Sequence, residues 1–367
     1  MNKIMNSLGF NKKETDTKVI VAMSGGVDSS VAAVKLKMEG YDVTGVTLRL
    51  YNQPNSSKSK SCCAGIDIND AKKVAEQYDF PHKVFDYQDK FFDGVISSFV
   101  DSYANGETPV PCIQCNQTVK FSDLLEESKN LNADALVTGH YAIRKGGLKE
   151  SKLFKAKDKT KDQSYFLFAT LQDQLDYVRF PLGNYLKSEI RQMAYDYNLL
   201  VSDKPDSQDI CFVTSDSYRD LINKLKPEIN KEGNIFDING NKIGVHKGIA
   251  NYTVGQRKGV GVGGQDQPLY VNEVNKDQNY IVLSPLKSLQ KNKIFFKNIN
   301  LLDKEIANKE LECSAKIRST QNEISGKLKI INDGGYFVFN EPISATSPGQ
   351  ACVFYNNDQV LGGGWIS

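Results

Sequence analysis

The chain has 367 residues, of which 40% are hydrophobic, 10% aromatic and 25% charged. That is the balance of an ordinary globular protein, and it excludes a disordered or fibrous chain. Lysine plus arginine total 46 against 44 acidic residues, a formal net charge of +2 that neither demands nor excludes a nucleic-acid partner.

At about 150 residues per domain, two or three domains are expected. No apolar run approaches the roughly 18 residues that cross a bilayer. Met1 to Lys18 has no hydrophobic stretch for export and no arginine for a mitochondrial leader. The expectation is a cytoplasmic protein with no membrane partner. Seven cysteines, an odd number in a chain too long to need staples, then read as reduced thiols.

In chain order, Lys18 to Met23 is rich in β-branched residues and predicts a buried strand. It breaks at Ser24–Gly25–Gly26. A helix is expected from Asp28 to Glu39, with Val31, Val34 and Met38 on its apolar face and Gly40 at its end. Val43 to Leu50 is the next strand, which completes a right-handed βαβ unit and implies a parallel sheet. The alternation continues with a helix at Ile68 to Tyr78, a strand at His82 to Phe85 and a helix at Phe121 to Asn130. A buried strand at Ala135 to Thr138 and a helix at Lys187 to Leu199 follow.

From about Gly233 the pattern changes to short strands separated by Gly and Asn: Leu269 to Val274, Tyr280 to Leu283, Ile294 to Ile299, Ser314 to Ile317 and Gly326 to Ile331. Ala351 to Tyr355 and Val360 to Gly362 flank Asn356–Asn357–Asp358–Gln359, read as a four-residue hairpin turn. The fold class is therefore α/β. A doubly wound parallel sheet is followed by a small central β-rich part and a C-terminal antiparallel β-barrel. The one low-complexity patch, Asn55 to Ser61, reads as a mobile loop.

Ser24–Gly25–Gly26–Val27–Asp28–Ser29–Ser30 stands where a strand gives way to a helix. The first helical N–H groups are unpaired there, and the helix dipole adds partial positive charge. Two glycines let a polyanion approach the main chain, and three serine hydroxyls can donate to it. A carboxylate at Asp28, beside phosphates, is explained by a divalent cation such as Mg²⁺. A lone Gly–Gly would be a turn with Asp28 as a helix cap; the full string after a strand favours the anion cradle. GxxxxGK[ST] is absent.

Among the cysteines, Cys62 and Cys63 are adjacent in the loop patch, Cys112 and Cys115 form a C-x-x-C, and Cys211 lies in Asp206–Ser207–Gln208–Asp209–Ile210–Cys211–Phe212. Cys313 and Cys352 read as small apolar residues of the barrel. A single C-x-x-C is open to zinc, iron–sulfur or thiol use. His82, His140 and His246 have no ligand spacing, so no metal site is assigned, although a cluster on Cys62 or Cys63 with Cys112 and Cys115 stays open. Nucleophilic use is favoured: Pro109 and Pro111 stiffen the approach to the pair, and the helix expected from Phe121 follows closely enough to favour thiolate.

The loop resembles that of the N-type ATP pyrophosphatases. The chain as a whole resembles the bacterial tRNA-specific 2-thiouridylases, on Val21 to Ser30, Cys115–Asn116 with Lys120–Phe121, Thr138–Gly139–His140–Tyr141 and Lys161 to Phe166. Asp209 to Phe212, Tyr252 to Gly259 and Ser347–Pro348–Gly349–Gln350 carry it further. The resemblance implies an adenine-nucleotide hydrolase-like catalytic domain over 1–215, a central tRNA-contacting domain over 216–285 and a tRNA-binding barrel over 286–367.

It further implies ATP-dependent 2-thiolation of the wobble uridine of tRNA, with ATP and Mg²⁺. Adenylylation turns the poor leaving oxygen O2 into a good one, and persulfide sulfur replaces it. Cys115 matches the nucleophile and Cys211 the persulfide carrier, with a disulfide between them after turnover. Ala22, Met23, Ser24, Gly25, Gly26, Val27, Asp28, Ser29, Leu48 and Gly139 match nucleotide contacts. Val110, Pro111 and Cys112 match the segment facing the target base. His140, Lys161, Asp162, Gln163, Arg318, Ser319 and Gln350 match tRNA contacts, and the Gly255 to Gly264 loop is expected to order on the tRNA.

Two positions depart from the pattern. Cys112 stands where many members carry an aspartate, whose acid–base role a thiol fills only in part. Ser319 stands where many carry an aromatic residue, and serine cannot stack on RNA. The implied partners are a tRNA with a wobble uridine and a persulfide-donating sulfur-relay protein or cysteine desulfurase, with a monomer as the default state. Two other readings compete: a pyrophosphatase-loop synthetase acting on a small molecule, and a cysteine-ligated iron–sulfur or zinc protein that binds RNA without chemistry.

Overall fold

The computed structural model describes residues 5–51, 65–206, 210–213, 217–264, 267–344 and 346–367. Cys62, Cys63, the Asn55 to Ser61 patch and Asp209 lie outside the described residues. Two compact units are present. The first comprises Met1–Val95, Cys112–Thr214 and Asp358–Val360; the second comprises Ile96–Pro111, Ser215–Asn357 and Leu361–Ser367.

The first unit is built on strands β1 (Lys18–Ala22), β2 (Asp42–Arg49), β3 (His82–Asp86), β4 (Ala135–Thr138), β5 (Ala142–Lys145), β6 (Lys152–Lys155) and β7 (Val178–Arg179). Five of them form a parallel sheet in the order β3-β2-β1-β4-β7. Val19, Ile20, Val21 and Ala135 to Val137 are wholly buried, as a strand covered on both faces requires.

Helix α1 (Val27–Met38) carries the chain from β1 to β2, and α2 (Gly65–Gln77) precedes β3. Gly40 ends α1 in a Schellman motif. Its φ is +96°, its N–H bonds the Lys37 carbonyl, and Tyr41 N–H bonds that of Leu36. The apolar face differs from expectation. Val31, Ala32, Ala33, Val34 and Leu36 are buried, whereas Met38, the last helical residue before the Glu39–Gly40 end, is 62% exposed.

The helix expected at Phe121 begins earlier. Pro111–Cys115 is helical, continues as a wide-turn helix over Asn116–Asp123 and ends as Leu124–Asn130. Proline at the first helical position loses no hydrogen bond and presets φ, so Pro111 starts the helix rather than merely stiffening a loop before it. Cys112 and Cys115 therefore lie within helical backbone.

In the second unit, helix Ser98–Ala104 packs on helix Tyr218–Leu225 through a Tyr103–Tyr218 stack at 4.7 Å. Strands β8 (Gly233–Asp237), β9 (Lys242–His246), β10 (Leu269–Asn275) and β11 (Tyr280–Pro285) form a sheet in the order β10-β11-β8-β9. The β11–β8 pair is parallel, whereas β10–β11 and β8–β9 are antiparallel, so the central β-rich part is a mixed sheet.

The barrel comprises β12 (Gln290–Leu301), β13 (Glu310–Lys316), β14 (Ile324–Ile331), β15 (Gly334–Ser344), β16 (Ala351–Asn356) and β17 (Gln359–Ile366), closed by the β12–β17 pair. Phe296, Phe337, Phe339 and Phe354 fill it with Leu328 and Ile343. The β16–β17 turn has two residues, not four, because Asn357 takes φ +52° and the strands run up to Asn356 and Gln359. Among the described residues no helix is long and apolar enough to cross a membrane.

Candidate active site

In an open parallel sheet, ligands bind beyond the carboxyl ends of the strands where the strand order reverses. Here that point lies between β1 and β4. A cavity of about 320 Å³ opens there, lined by Ala22, Met23, Ser24, Gly26, Val27, Asp28 and Ser29 from the β1–α1 junction and by Thr138, Gly139, His140 and Tyr141 beyond β4. Val46, Leu48, Leu50 and Leu124 contribute apolar lining, while Lys120, Lys161, Gln163, Lys187 and Asp206 contribute charged and polar lining. Such a mixed lining suits a ligand with a flat apolar part and an anionic part.

The loop is held from within. Ser24 N–H donates to Ser29 Oγ at 3.1 Å, and Ser30 Oγ donates to the Gly26 carbonyl at 2.8 Å. Ser30 is fully buried, so its hydroxyl serves the loop rather than facing a ligand as the sequence suggested. Gly25 does not line the cavity. Its φ is +71°, and a Cβ there would lie 2.2 Å from the Asp67 carbonyl oxygen. Lys204 Nζ bonds the Gly25 carbonyl at 2.9 Å together with Asp67 Oδ1 and Asp70 Oδ2 at 2.6 and 2.7 Å. Gly139 is required for a different reason: a Cβ would stand 2.9 Å from Ser29 N.

The charges form one connected network. Asp28 Oδ1 accepts from Tyr141 Oη at 2.7 Å and from Lys187 Nζ at 2.6 Å. Lys187 also pairs with Asp206 Oδ1 at 3.0 Å, and Asp206 receives Arg191 Nη2 and Lys161 Nζ, each at 2.8 Å. Partial burial alone would raise the Asp206 carboxyl, yet hydrogen bonds from Lys161 and Lys187 outweigh it and hold its pKa at about 2. Burial, then the Asp28 charge, pushes the Tyr141 phenol well up, so it stays a donor. Burial, aided by Lys120, pushes the His140 imidazole well down; its Nδ1 lies 2.8 Å from Thr138 Oγ1 and its ring sits between Phe121 and Phe180.

Two members of the expected tRNA-contact run are engaged inside the fold. Asp162 Oδ2 accepts from Ser164 Oγ at 2.8 Å and Oδ1 from Ala156 N–H at 2.9 Å. Gln163 Oε1 accepts from Tyr141 N–H at 2.9 Å, which fixes the wall next to His140.

Cys112 is exposed, Cys115 buried and Cys211 half-buried. Next to Cys115, Asn116 donates to the Phe166 carbonyl at 3.1 Å. Tyr51 Oη donates to the Cys211 carbonyl at 2.6 Å, and Phe212 meets Phe91 edge-on, so a hydrogen bond at Cys211 and a ring contact at the next residue hold the chain beside that thiol. Burial pushes the Cys313 thiol up to about 12 and the Cys352 thiol well above its ordinary value, in keeping with an apolar role. His82 bonds Thr47, and His246 is buried against Asn279 and Gly248.

Val110, Pro111, Arg318, Ser319 and Gln350 belong to the second unit. There Gln350 Nε2 donates to the Thr108 carbonyl at 3.0 Å, and Ser347 Oγ lies 2.7 Å from Thr108 Oγ1. Thr108 N–H bonds the Pro348 carbonyl at 2.8 Å. The Ser347–Gln350 motif thus holds the segment that leads to Cys112.

Three family models match in succession. They are a tRNA methyl transferase HUP domain over residues 17–215, a tRNA methyl transferase PRC-barrel domain over 220–285 and an aminomethyltransferase beta-barrel domain over 291–366. The tRNA-specific 2-thiouridylase MnmA of Dinoroseobacter shibae is 48% identical over 369 residues, covering 99% of this chain and 96% of the relative. The enzyme of the same name from Paracoccus denitrificans is 48% identical over 99% of this chain and 95% of its own. The chain belongs to the tRNA-specific 2-thiouridylase family. Among solved structures, a 4-thiouridine synthetase–RNA complex with bound ATP aligns over 58% of this chain and 50% of its own at 14% identity, with a TM-score of 0.34, too slight a likeness to bear on function.

For this 2-thiouridylase family member, local sequence reading missed Tyr141, Lys187, Asp206, Arg191 and Lys120 as parts of the cavity and its network. One signal was present for Lys187. It occupies the first position of helix Lys187–Asp196, where the dipole disfavours a cation and a carboxylate partner offsets the cost.

Proposed function

We propose that the protein catalyses ATP-dependent 2-thiolation of the wobble uridine of tRNA. The observation that carries this reading is the cavity at the β1–β4 switch point, with the Ser24–Ser29 loop on its wall and lysines beside it. The triphosphate lies on the loop amides and meets Lys161 and Lys187, and the base rests against Leu48 and Leu50. Bound Mg²⁺ neutralises phosphate charge. Asp28 fits it, because Tyr141 and Lys187 both engage Oδ1 and a carboxylate has a second oxygen to give a hydrated cation.

Uridine O2 attacks the α-phosphorus, pyrophosphate leaves, and the adenylylated oxygen becomes a good leaving group. The terminal sulfur of a Cys211 persulfide, loaded by a persulfide-donating protein, attacks C2 and AMP departs. Cys115 thiolate then attacks Cys211 Sγ, which breaks the S–S bond, leaves sulfur on C2 as the thiocarbonyl and joins Cys115 to Cys211. His140, Lys161, Arg318 and Gln350 belong to the tRNA-facing set, with lysine supplying most phosphate contacts. Of seven arginines, Arg144 and Arg179 are spent on backbone carbonyls within the fold.

The test is single-turnover reaction of an unmodified wobble-uridine tRNA with ATP, Mg²⁺ and a persulfide donor, for wild type, Cys115→Ser and Cys211→Ser. Pyrophosphate and thiouridine are read separately. Both variants are expected to release tRNA-dependent pyrophosphate but to make little thiouridine. Variants that thiolate like wild type would remove the cysteine assignment. A wild type without tRNA-dependent pyrophosphate release would favour the small-molecule synthetase reading.

A further inference from the structure

We infer that Cys112 is a resolving thiol: after turnover it exchanges with Cys115 and carries the product disulfide outward to where a solvent reductant reaches it. The inference rests on the proposed thiolation, whose last step leaves Cys115 joined to Cys211. A disulfide opens by thiolate attack in line on one sulfur, and the rate depends on access to that sulfur. Cys115 is only 8% exposed and Cys211 half-buried, so the bond between them is poorly placed for an external thiol. Cys112, one helical turn before Cys115, is exposed.

The backbone favours the exchange. Positions i and i+3 share a helix face with Cβ atoms about 5–6 Å apart, while a disulfide needs about 4 Å. Closing the pair therefore asks for a shift of about 1–2 Å within one turn. That turn is the short segment Pro111–Cys115, and the winding changes to a wide-turn helix directly after it, at Asn116. Ile113, between the two thiols, is fully buried and anchors the turn from its inner side.

The step balances without an oxidant. Cys112 thiolate attacks Cys115 Sγ, the Cys115–Cys211 bond breaks, and Cys211 leaves as thiolate, ready to take up persulfide again. An external dithiol then attacks Cys112 Sγ, supplies two electrons and is itself oxidised to a disulfide.

The experiment uses the full chain. After a single turnover without reductant, thiols are alkylated and the disulfide is mapped by peptide mass spectrometry. Separately, wild type, Cys112→Ser and Cys112→Asp are oxidised with diamide, and recovery of thiols by dithiothreitol is timed, a readout that needs no turnover. Wild type is expected to hold the Cys112–Cys115 link with Cys211 alkylated. Both variants are expected to hold Cys115–Cys211 and to recover about tenfold more slowly or worse, since access controls exchange. A wild type trapped as Cys115–Cys211 with Cys112 alkylated, or variants that recover at the wild-type rate, would overturn the inference while leaving thiolation standing. Absence of both thiouridine and disulfide in wild type would instead sink the thiolation reading, and this inference with it.

Discussion

Gly139→Ala is the sharpest probe of the phosphate loop, because it acts on backbone rather than on a charge. A Cβ at this position would lie 2.9 Å from Ser29 N, 3.0 Å from Asp28 C and 3.2 Å from Ser29 Cα, where ordinary contact begins near 3.4 Å. The first shortfall is about 0.5 Å, and all three neighbours are backbone atoms of the loop, so no side chain can swing aside. Overpacking of this kind costs about 1–3 kcal/mol of stability. A misplacement of about 1 Å can cost about a hundredfold in rate, so a shift of half that size should lower kcat/KM for ATP by about tenfold. The assay is tRNA-dependent pyrophosphate release over an ATP series, beside thermal melts and direct nucleotide titration of the folded protein. Gly147→Ala, where a Cβ would meet nothing within 4 Å, is the matched control and should behave as wild type. A Gly139→Ala protein with wild-type ATP affinity and turnover would refute the reasoning, since the loop would then not be the surface on which the phosphates lie.

Asp206→Asn should destabilise the protein by about 2 kcal/mol at pH 7, from a carboxyl held at about 2 in the fold against an ordinary 3.8. A depressed carboxylate contributes its stability above its unfolded pKa and loses it as pH falls through the folded value. The gap between wild type and variant in denaturant melts should therefore be flat from pH 7 to about 4 and close toward pH 2; a gap that opens on acidification would contradict the assignment. Lys204→Met should raise KM for ATP severalfold and destabilise the protein by about 2 kcal/mol, because it strands Asp67 and Asp70 and releases the Gly25 carbonyl. Partial burial would lower the Lys204 pKa, but its bonds to those carboxylates prevail and raise it. Its contribution thus persists at neutral pH and fades as pH rises above 10.5, and a gap between wild type and variant that survives that rise unchanged would point elsewhere.

The parallel sheet was legible because its strands are buried on both faces and so carry unbroken apolar runs such as Lys18–Ala22 and Ala135–Thr138. Gly40 marked the end of α1 for a local reason, its left-handed φ. What escaped were elements with no periodic signal of their own. β7 is only Val178–Arg179, and its place at the sheet edge comes from pairing with β4. The start of the cysteine-bearing helix at Pro111 was hidden because proline usually ends a segment and only its position in the first turn makes it a beginning. The parallel β8–β11 pair joins strands more than forty residues apart, which hairpin-length punctuation cannot reveal.

The site divides along the same line. Its backbone half, Ser24 to Ser29, is contiguous and could be read as a cradle because strand, glycines and helix start follow one another. Its electrostatic half is assembled from distant places. Asp28, Tyr141, Lys161, Lys187, Arg191 and Asp206 meet only once the sheet brings the β1 and β4 ends together. A lone aspartate in an anion site therefore suggested a metal ion, when the fold also supplies Lys187 at 2.6 Å to balance it. The two accounts are compatible in chemistry but not in order. Balance by Lys187 lets the loop fold with its carboxylate already paired, and a cation is then called for by the incoming phosphates rather than by Asp28 itself. Stability of the empty loop should accordingly be indifferent to Mg²⁺, and the cation should shift the melting temperature only when ATP is present. A melt that rises with Mg²⁺ alone would show Asp28 drawing the cation without phosphate.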